Sequence, residues 1–152
     1  LAALVPSQAF AQGKPESQPK RVTVTAVTDL NFGVIAQGGG GAITISPSST
    51  PSRTTSGGAY VISSSQFTAA AFDVTVAKSD SYSITLPTSV TLTSPGDSMT
   101  LSAFTSSPAA SNGKVDLTDG TTRFYVGATL SVAASQLVGT YSGTVPITIS
   151  FP

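Results

Sequence analysis

Two acidic residues three positions apart, in Asp116-Leu117-Thr118-Asp119-Gly120, come closest in this chain to a chemical motif. Two carboxylates and a backbone carbonyl could seat a Ca²⁺ ion, but the spacing matches no full calcium loop. The same residues set a hairpin turn without any ligand, and that is the favoured reading. The run Gly38-Gly39-Gly40-Gly41 lacks the following Lys-Ser/Thr and the helix that a phosphate cradle requires, so it reads as a turn. General acid–base catalysis near neutral pH needs a His, or two carboxylates with different environments. This chain has no His and only seven scattered acids, so nothing marks it as an enzyme. Zero Cys removes disulfides, thiolate metal sites and cysteine nucleophiles together. No catalytic, cofactor-binding or metal-binding residue is assigned, and no cofactor is expected. Tyr60, Tyr82, Tyr125 and Tyr141 could in principle stack on sugar rings. Tyr82 and Tyr141 fall on the apolar phase of their segments, where core packing is the expected role. Tyr125 alone takes the outward phase, opposite to Phe124 and Val126.

The elements that would carry any site are strands. With 152 residues, 39% of them apolar, and 14 Gly and 10 Pro, the chain has the make-up of one domain with its own core. Val, Ile, Thr and Ser dominate and helix formers are scarce in runs, which predicts an all-β fold of short strands and many turns. Seven basic and seven acidic residues cancel, so no basic patch is available for nucleic acid or an anionic membrane. No apolar run approaches the roughly 18 to 20 residues of a membrane span.

Leu1 to Ala11, LAALVPSQAFA, ends in the small-x-small pattern Ala9-Phe10-Ala11 that precedes a signal-peptidase cut. Residues 1–11 are thus either the end of a secretory signal or a retained apolar segment, and both readings imply export. Residues 12–20, QGKPESQPK, read as a polar linker, and residues 21–152 as the body.

Within the body, Arg21 to Ile35 alternates through Val22, Val24 and Ala26 and again through Leu30, Phe32 and Val34, predicting one bent strand or two joined by a bulge. The Gly run leads into Ala42 to Ser46, and Pro47 to Gly58 reads as a loop before Ala59 to Ser63. Ala70, Phe72, Val74 and Val76, then Tyr82, Ile84 and Leu86, predict a β-hairpin. Val90 and Leu92 precede a Ser94-Pro95-Gly96-Asp97 turn, after which Met99, Leu101 and Ala103 alternate again. Ser106 to Asp119 reads as irregular. Phe124 to Val132 is the penultimate strand, joined by Ala133 to Val138 to the last. Seven to nine strands at this spacing fit an immunoglobulin-like sandwich.

The last stretch, Gly139 to Phe151, alternates through Tyr141, Val145, Ile147, Ile149 and Phe151 against Ser142, Thr144, Pro146, Thr148 and Ser150. It predicts a half-buried strand. Such an apolar strand, with its outer edge uncovered, should recruit a partner, and Pro146 fits a strand with one side at an edge or bulge.

Leu30-Asn31-Phe32-Gly33, Phe124-Tyr125-Val126-Gly127, Gln136, Gly139-Thr140-Tyr141 and the terminal Val145-x-Ile147-x-Ile149-x-Phe151 together resemble the spore-coat-U-like domain and the subunits of archaic chaperone-usher pili. An uncharacterised bacterial domain family with the same LNFG and GTYSGT signatures shares the likeness. The resemblance implies an incomplete immunoglobulin-like β-sandwich, lacking its last strand and completed by an N-terminal extension of the next subunit. It implies partners that are copies of the chain itself, with a periplasmic chaperone and an outer-membrane usher as assembly machinery. Archaic pilins usually carry a disulfide near the start of the body, which this chain lacks.

A missing strand would leave an acceptor groove lined by Tyr141, Val145, Ile147, Ile149 and Phe151 on one side and by Val22 and Val24 across the sandwich. A donor brings alternate apolar side chains, each contributing roughly 1.5 to 3 kcal/mol on burial, and a ladder of backbone hydrogen bonds. The donor candidate is the N-terminal segment, with Leu1, Ala3, Val5 and Ala9 on the smoother phase and Ala2, Leu4, Pro6 and Phe10 on the other. Because such a contact is head to tail, it propagates as a filament. The expected function is therefore a structural subunit of an extracellular bacterial filament, for adhesion or biofilm cohesion. The alternative is a monomeric secreted carbohydrate-binding or coat module, with Tyr125 at its surface.

Overall fold

Strands form where Val, Ile, Thr and aromatic residues recur at period two, because β-branched side chains fit a pleated surface and alternate across it. A computed structural model describes residues 21–77, 79–109 and 114–150. The donor candidates Leu1, Ala3, Val5 and Ala9, the linker and Phe151 lie outside the described residues. The described residues form ten strands: β1 (Val22–Thr28), β2 (Ile35–Ile45), β3 (Arg53–Val61), β4 (Ala70–Val76), β5 (Asp80–Thr85), β6 (Ser89–Ser94), β7 (Asp97–Ser107), β8 (Lys114–Leu117), β9 (Gly120–Val132) and β10 (Thr148–Ser150). Among the described residues no helix forms.

The strands make two antiparallel sheets, consistent with a β-sandwich. Strand β9 is the spine of the larger sheet. Its one edge pairs with β7, which in turn pairs with β6. Its other edge pairs with β4 along the first half and with β2 along the second, so these two lie end to end. Strand β1 flanks β4 and β3 flanks β2. The smaller sheet is β10-β5-β8.

Two apolar clusters hold these layers together. Phe72, Val74 and Val76 of β4 and Phe124 and Val126 of β9 pack on Tyr82, Ile84, Val115 and Leu117 of the smaller sheet. The Phe72 and Phe124 rings stack at 5.7 Å. The second cluster gathers Ile43, Ile45, Met99, Leu101, Leu130 and Val132 on one face of the larger sheet, under Phe32. Each fully buried side chain of this size contributes roughly 1.5 to 3 kcal/mol. The face of the second cluster has no sheet above it. Its cover comes from the chain around residues 30–36 and 137–145, which includes Leu30, Ile35, Tyr141 and Val145.

Several expectations are corrected. Strands β4 and β5 do not pair as a hairpin: β4 pairs with β1 and β9, and β5 with β8 and β10. The Gly38–Gly41 run is not a turn but the middle of β2, where Gly40 and Gly41 face Gly58 and Gly57 of β3. Backbones approach closely there, and a Cβ on Gly58 would stand 2.7 Å from the Gly39 Cα. The loop expected from Pro47 to Gly58 accordingly shrinks, with β3 beginning at Arg53. Leu30, Phe32 and Val34 alternate in sequence, yet this segment is a turn with one bridge, Asn31 to Thr68. Strand β8 arises inside the stretch read as irregular. Strands β6 and β7 pair as a hairpin across the turn expected at Ser94–Asp97.

Candidate functional site

The gap in the cover of the second cluster is an open groove of about 900 Å³. Its floor is Phe72, Met99, Leu101, Leu130 and Val132, one wall runs from Ala26 to Gly38, and the other from Leu137 to Ile147. The two motifs singled out in the sequence build these walls.

The first wall is fixed by the Leu30-Asn31-Phe32-Gly33 turn. The Asn31 side-chain oxygen accepts the Gly33 N–H at 2.8 Å, and Asn31 exchanges two backbone hydrogen bonds of 2.9 Å with Thr68. Arg53 clamps the turn from outside. Its guanidinium donates to the carbonyls of Phe32 and Ile62, each at 2.9 Å, and to Ser65 Oγ at 3.0 Å, while lying 4.5 Å over the Phe67 ring. A planar fork with a stacking face makes all four contacts at once, which an ammonium cannot. Gly33 has φ of +81°, and a Cβ there would press on Arg53 and Ser65, so the tight turn and the clamp both depend on glycine.

The second wall is fixed at its start by a polar cluster around Asp97. One carboxylate oxygen accepts the Leu137 N–H at 2.9 Å, the Gln136 amide at 2.8 Å and the Tyr141 hydroxyl at 3.1 Å. The other accepts the Ser98 N–H at 2.8 Å. Gln136 is buried and reaches the Ser98 carbonyl and the Tyr141 hydroxyl, each at 3.0 Å. Tyr141 can also donate to the Leu137 carbonyl at 2.7 Å. The Leu137 N–H, then the Ser98 N–H, hold the Asp97 carboxyl below its ordinary value, because each favours the charged form. Gly143 lets the wall lie against β6, where a Cβ would stand 2.8 Å from the Thr91 carbonyl.

The expected terminal strand is only partly regular. Ser142 exchanges two backbone bonds with Thr93 of β6, of 2.9 and 3.1 Å, and the ladder resumes at Thr148–Ser150 against β5. In an antiparallel strand a residue's N–H and C=O point to one edge, and neighbours alternate. Ser142 thus faces β6, and residues 143–147 between it and β10 are not in a regular strand. On β1 the Arg21 carbonyl accepts from Ala77 at 3.3 Å. Arg21 and Thr23 thus face β4, and Val22 and Val24 face outward.

On β1 the residues with open backbone groups share the inward face of β4, and Val24 among them is poorly covered. Val24 opposes Val74 in the register, yet Val74 is fully buried and Val24 is 50% exposed. Tyr141, Val145, Ile147 and Ile149 are all only half-buried. Of the acceptor residues expected from sequence, Tyr141, Val145 and Ile147 line the groove. Val22, Val24 and Ile149 lie farther along the same two edges, with Val22 and Ile149 on the other apolar cluster. The sequence reading missed the floor residues and Leu30, because a groove floor is periodic core in sequence and looks like any other.

The other candidates have structural roles. Asp116 accepts a hydrogen bond from the Ser81 hydroxyl, and the Asp119 N–H donates to Ser79 Oγ at 2.8 Å. Among the described residues no three His, Cys, Asp or Glu side chains come together. Tyr125 is half-buried next to Arg123, which pairs with Asp73 at 2.7 Å. Tyr82 is core, as expected.

No curated protein and no solved structure matches this chain. A family model described as "Domain of unknown function (DUF4402)" matches residues 22–151. That span takes in both walls of the groove, and by it the chain belongs to the DUF4402 family.

Proposed function

We propose that this protein is a structural subunit of an extracellular bacterial filament, polymerising head to tail by donor-strand exchange for adhesion or biofilm cohesion. The observation that carries the reading is an apolar groove with the edge strand β1 on one side and the half-buried Val145 and Ile147 on the other. Val22 and Val24 on β1 turn their backbone groups away from β4 while Val24 is 50% exposed, and Val145 and Ile147 on the other side are only half-buried. A site of that form suits an extended chain, which supplies a ladder and alternate apolar residues together. An incoming strand would complete an immunoglobulin-like sandwich, as the likeness to spore-coat-U and archaic pilin subunits implies. The donor is the apolar segment before the body, with Leu1, Ala3, Val5 and Ala9 turned into the groove. Left open, such an edge is an aggregation hazard, so a periplasmic chaperone and an outer-membrane usher fit as escorts. The test is electron microscopy of the purified full chain, with N-terminal sequencing of the same sample. Filaments of subunits that begin at Leu1 support the reading. Monodisperse particles that begin at Gln12 contradict it and favour a secreted binding module.

A further inference from the structure

The connection between β2 and β3, residues 46–52, reads Ser-Pro-Ser-Ser-Thr-Pro-Ser, with five hydroxyls, two prolines and no charge. Hairpin loops usually turn on Gly, Asn or Asp. This one has none of them, so its shape comes from its hydroxyls and prolines. Ser46 and Ser52 close it: Ser46 Oγ accepts the Ser52 N–H at 2.8 Å and the Ser52 hydroxyl at 3.1 Å, and the Ser46 N–H donates to the Ser52 carbonyl at 3.1 Å. Ser48 Oγ accepts the Thr50 N–H at 3.2 Å. Pro47 and Pro51 have a fixed φ and no N–H to give. Ser49 and Thr50 are left at the tip, both exposed, and among the described residues neither hydroxyl meets a protein partner.

Hydroxyls on the strands are placed differently. Thr44 pairs with Thr129 at 2.9 Å and Thr75 with Thr121 at 2.7 Å, on backbones tied into ladders. An enzyme that modifies a hydroxyl must surround it, and a projecting tip allows that where a sheet face does not. Stretches rich in Ser, Thr and Pro carry O-linked sugars in exported chains. An open cleft of about 320 Å³ adjoins the tip, between Pro51 and residues 63–67, where Ser63, Ser64 and Gln66 stand beside Phe67. Hydroxyls and an amide next to an aromatic ring suit the polar rim and apolar face of a sugar. A phosphate would call for a basic partner, and the guanidinium of Arg53, next after Ser52, is already bonded to the carbonyls of Phe32 and Ile62.

We infer that Thr50, with Ser49 beside it, is an attachment site for an O-linked glycan. The acceptor oxygen attacks the anomeric carbon of a sugar carried on a phosphate leaving group. The new C–O bond forms as the bond from that carbon to the phosphate oxygen breaks, the phosphate departs with the electron pair, and the hydroxyl proton passes to a base of the transferase. Gly38 lines the groove and Ile45 ends β2, and the strand between them spans about 20 Å. A glycan at the tip therefore leaves the groove clear, and the site stands apart from the donor-strand reading.

The test is peptide mass spectrometry of the full chain isolated from the cells that naturally make it, as wild type and with Ser49→Ala and Thr50→Val together. The tryptic fragment from Val22 to Arg53 holds the whole tip. The wild-type fragment should be heavier than its sequence by whole sugar residues placed on Thr50 or Ser49, and the double variant should lose that mass completely. Made by cell-free translation, wild type and variant should share one urea midpoint, because neither hydroxyl has a protein partner; this separates a lost sugar from a lost fold. An unmodified wild-type fragment would overturn the inference, and so would phosphate in place of sugar, or sugar confined to strand residues such as Thr44. Filaments without sugar would leave the groove reading standing, whereas sugar on a chain that never assembles would leave only this site standing.

Discussion

Val24 and Val74 form a matched pair, opposite each other in one register and both turned inward, with one half-exposed and the other fully buried. Val→Ala removes two carbons, worth about 0.8 kcal/mol each when buried. Val74→Ala should therefore cost about 1.6 kcal/mol, plus a cavity contribution, whatever the state of assembly. Val24→Ala should cost about half of that, near 0.8 kcal/mol, in a chain that has not assembled. In the proposed donor-strand joint the rest of Val24 would be covered, and the variant should lose a further ~0.8 kcal/mol, or roughly fourfold in joint lifetime. Urea denaturation at nanomolar concentration measures the first difference. With a slope of about 2 kcal/mol per molar, the midpoint falls about 0.8 M for Val74→Ala and about half as far for Val24→Ala. Dilution of preformed filaments measures the second. Equal midpoint losses for the two variants would mean that β1 is already covered in the single chain. An unchanged filament lifetime for Val24→Ala would mean that nothing packs on it afterwards.

Three further outcomes follow from the walls. Gln136→Leu should cost roughly 1 to 3 kcal/mol in thermal or urea unfolding, because it strands polar partners at Ser98 and Asp97 in a half-closed site. Gly143→Ala should destabilise by roughly 1 to 3 kcal/mol and raise proteolysis of residues 137–147, since its Cβ needs the space of the Thr91 carbonyl. Acid should weaken the second wall: Asp97 has a depressed carboxyl, so its contribution is complete above pH 3.8 and is lost as pH falls through the lower folded value. Asp73, lowered chiefly by its bond to Arg123, acts in the same direction. Hydrogen exchange at the Leu137 amide should rise below pH 3.8 in the native chain, and Asp97→Asn should flatten that dependence.

Much of the sheet was legible because period-two runs keep their phase wherever one face is buried. Tyr82 inward, Tyr125 on the other phase, and the alternation of Val145, Ile147 and Ile149 all survive in the structure. What failed depended on residues far away in sequence. The Gly38–Gly41 run looks like a turn until Gly57 and Gly58 are placed opposite it. Leu30, Phe32 and Val34 carry a strand's pattern, but Arg53, remote in sequence, pins their backbone into a turn. The supposed β4–β5 hairpin had the right phases and a turn between them, yet the choice of sheet lies in partners such as Val115 and Phe124. The groove was legible only on its edges: Met99, Leu101 and Leu130 are buried and carry the same alternation as any core strand, so no local pattern marks them as its floor.

The most direct test is cryo-electron microscopy of the assembled full chain, read at the space between β1 and Gly143–Ile149. The account predicts an extended segment of a second copy there, antiparallel to the terminal wall, with its side chains on Val24, Val145 and Ile147. Density from the same chain folded back into the groove, or a groove left open in every particle, would contradict it.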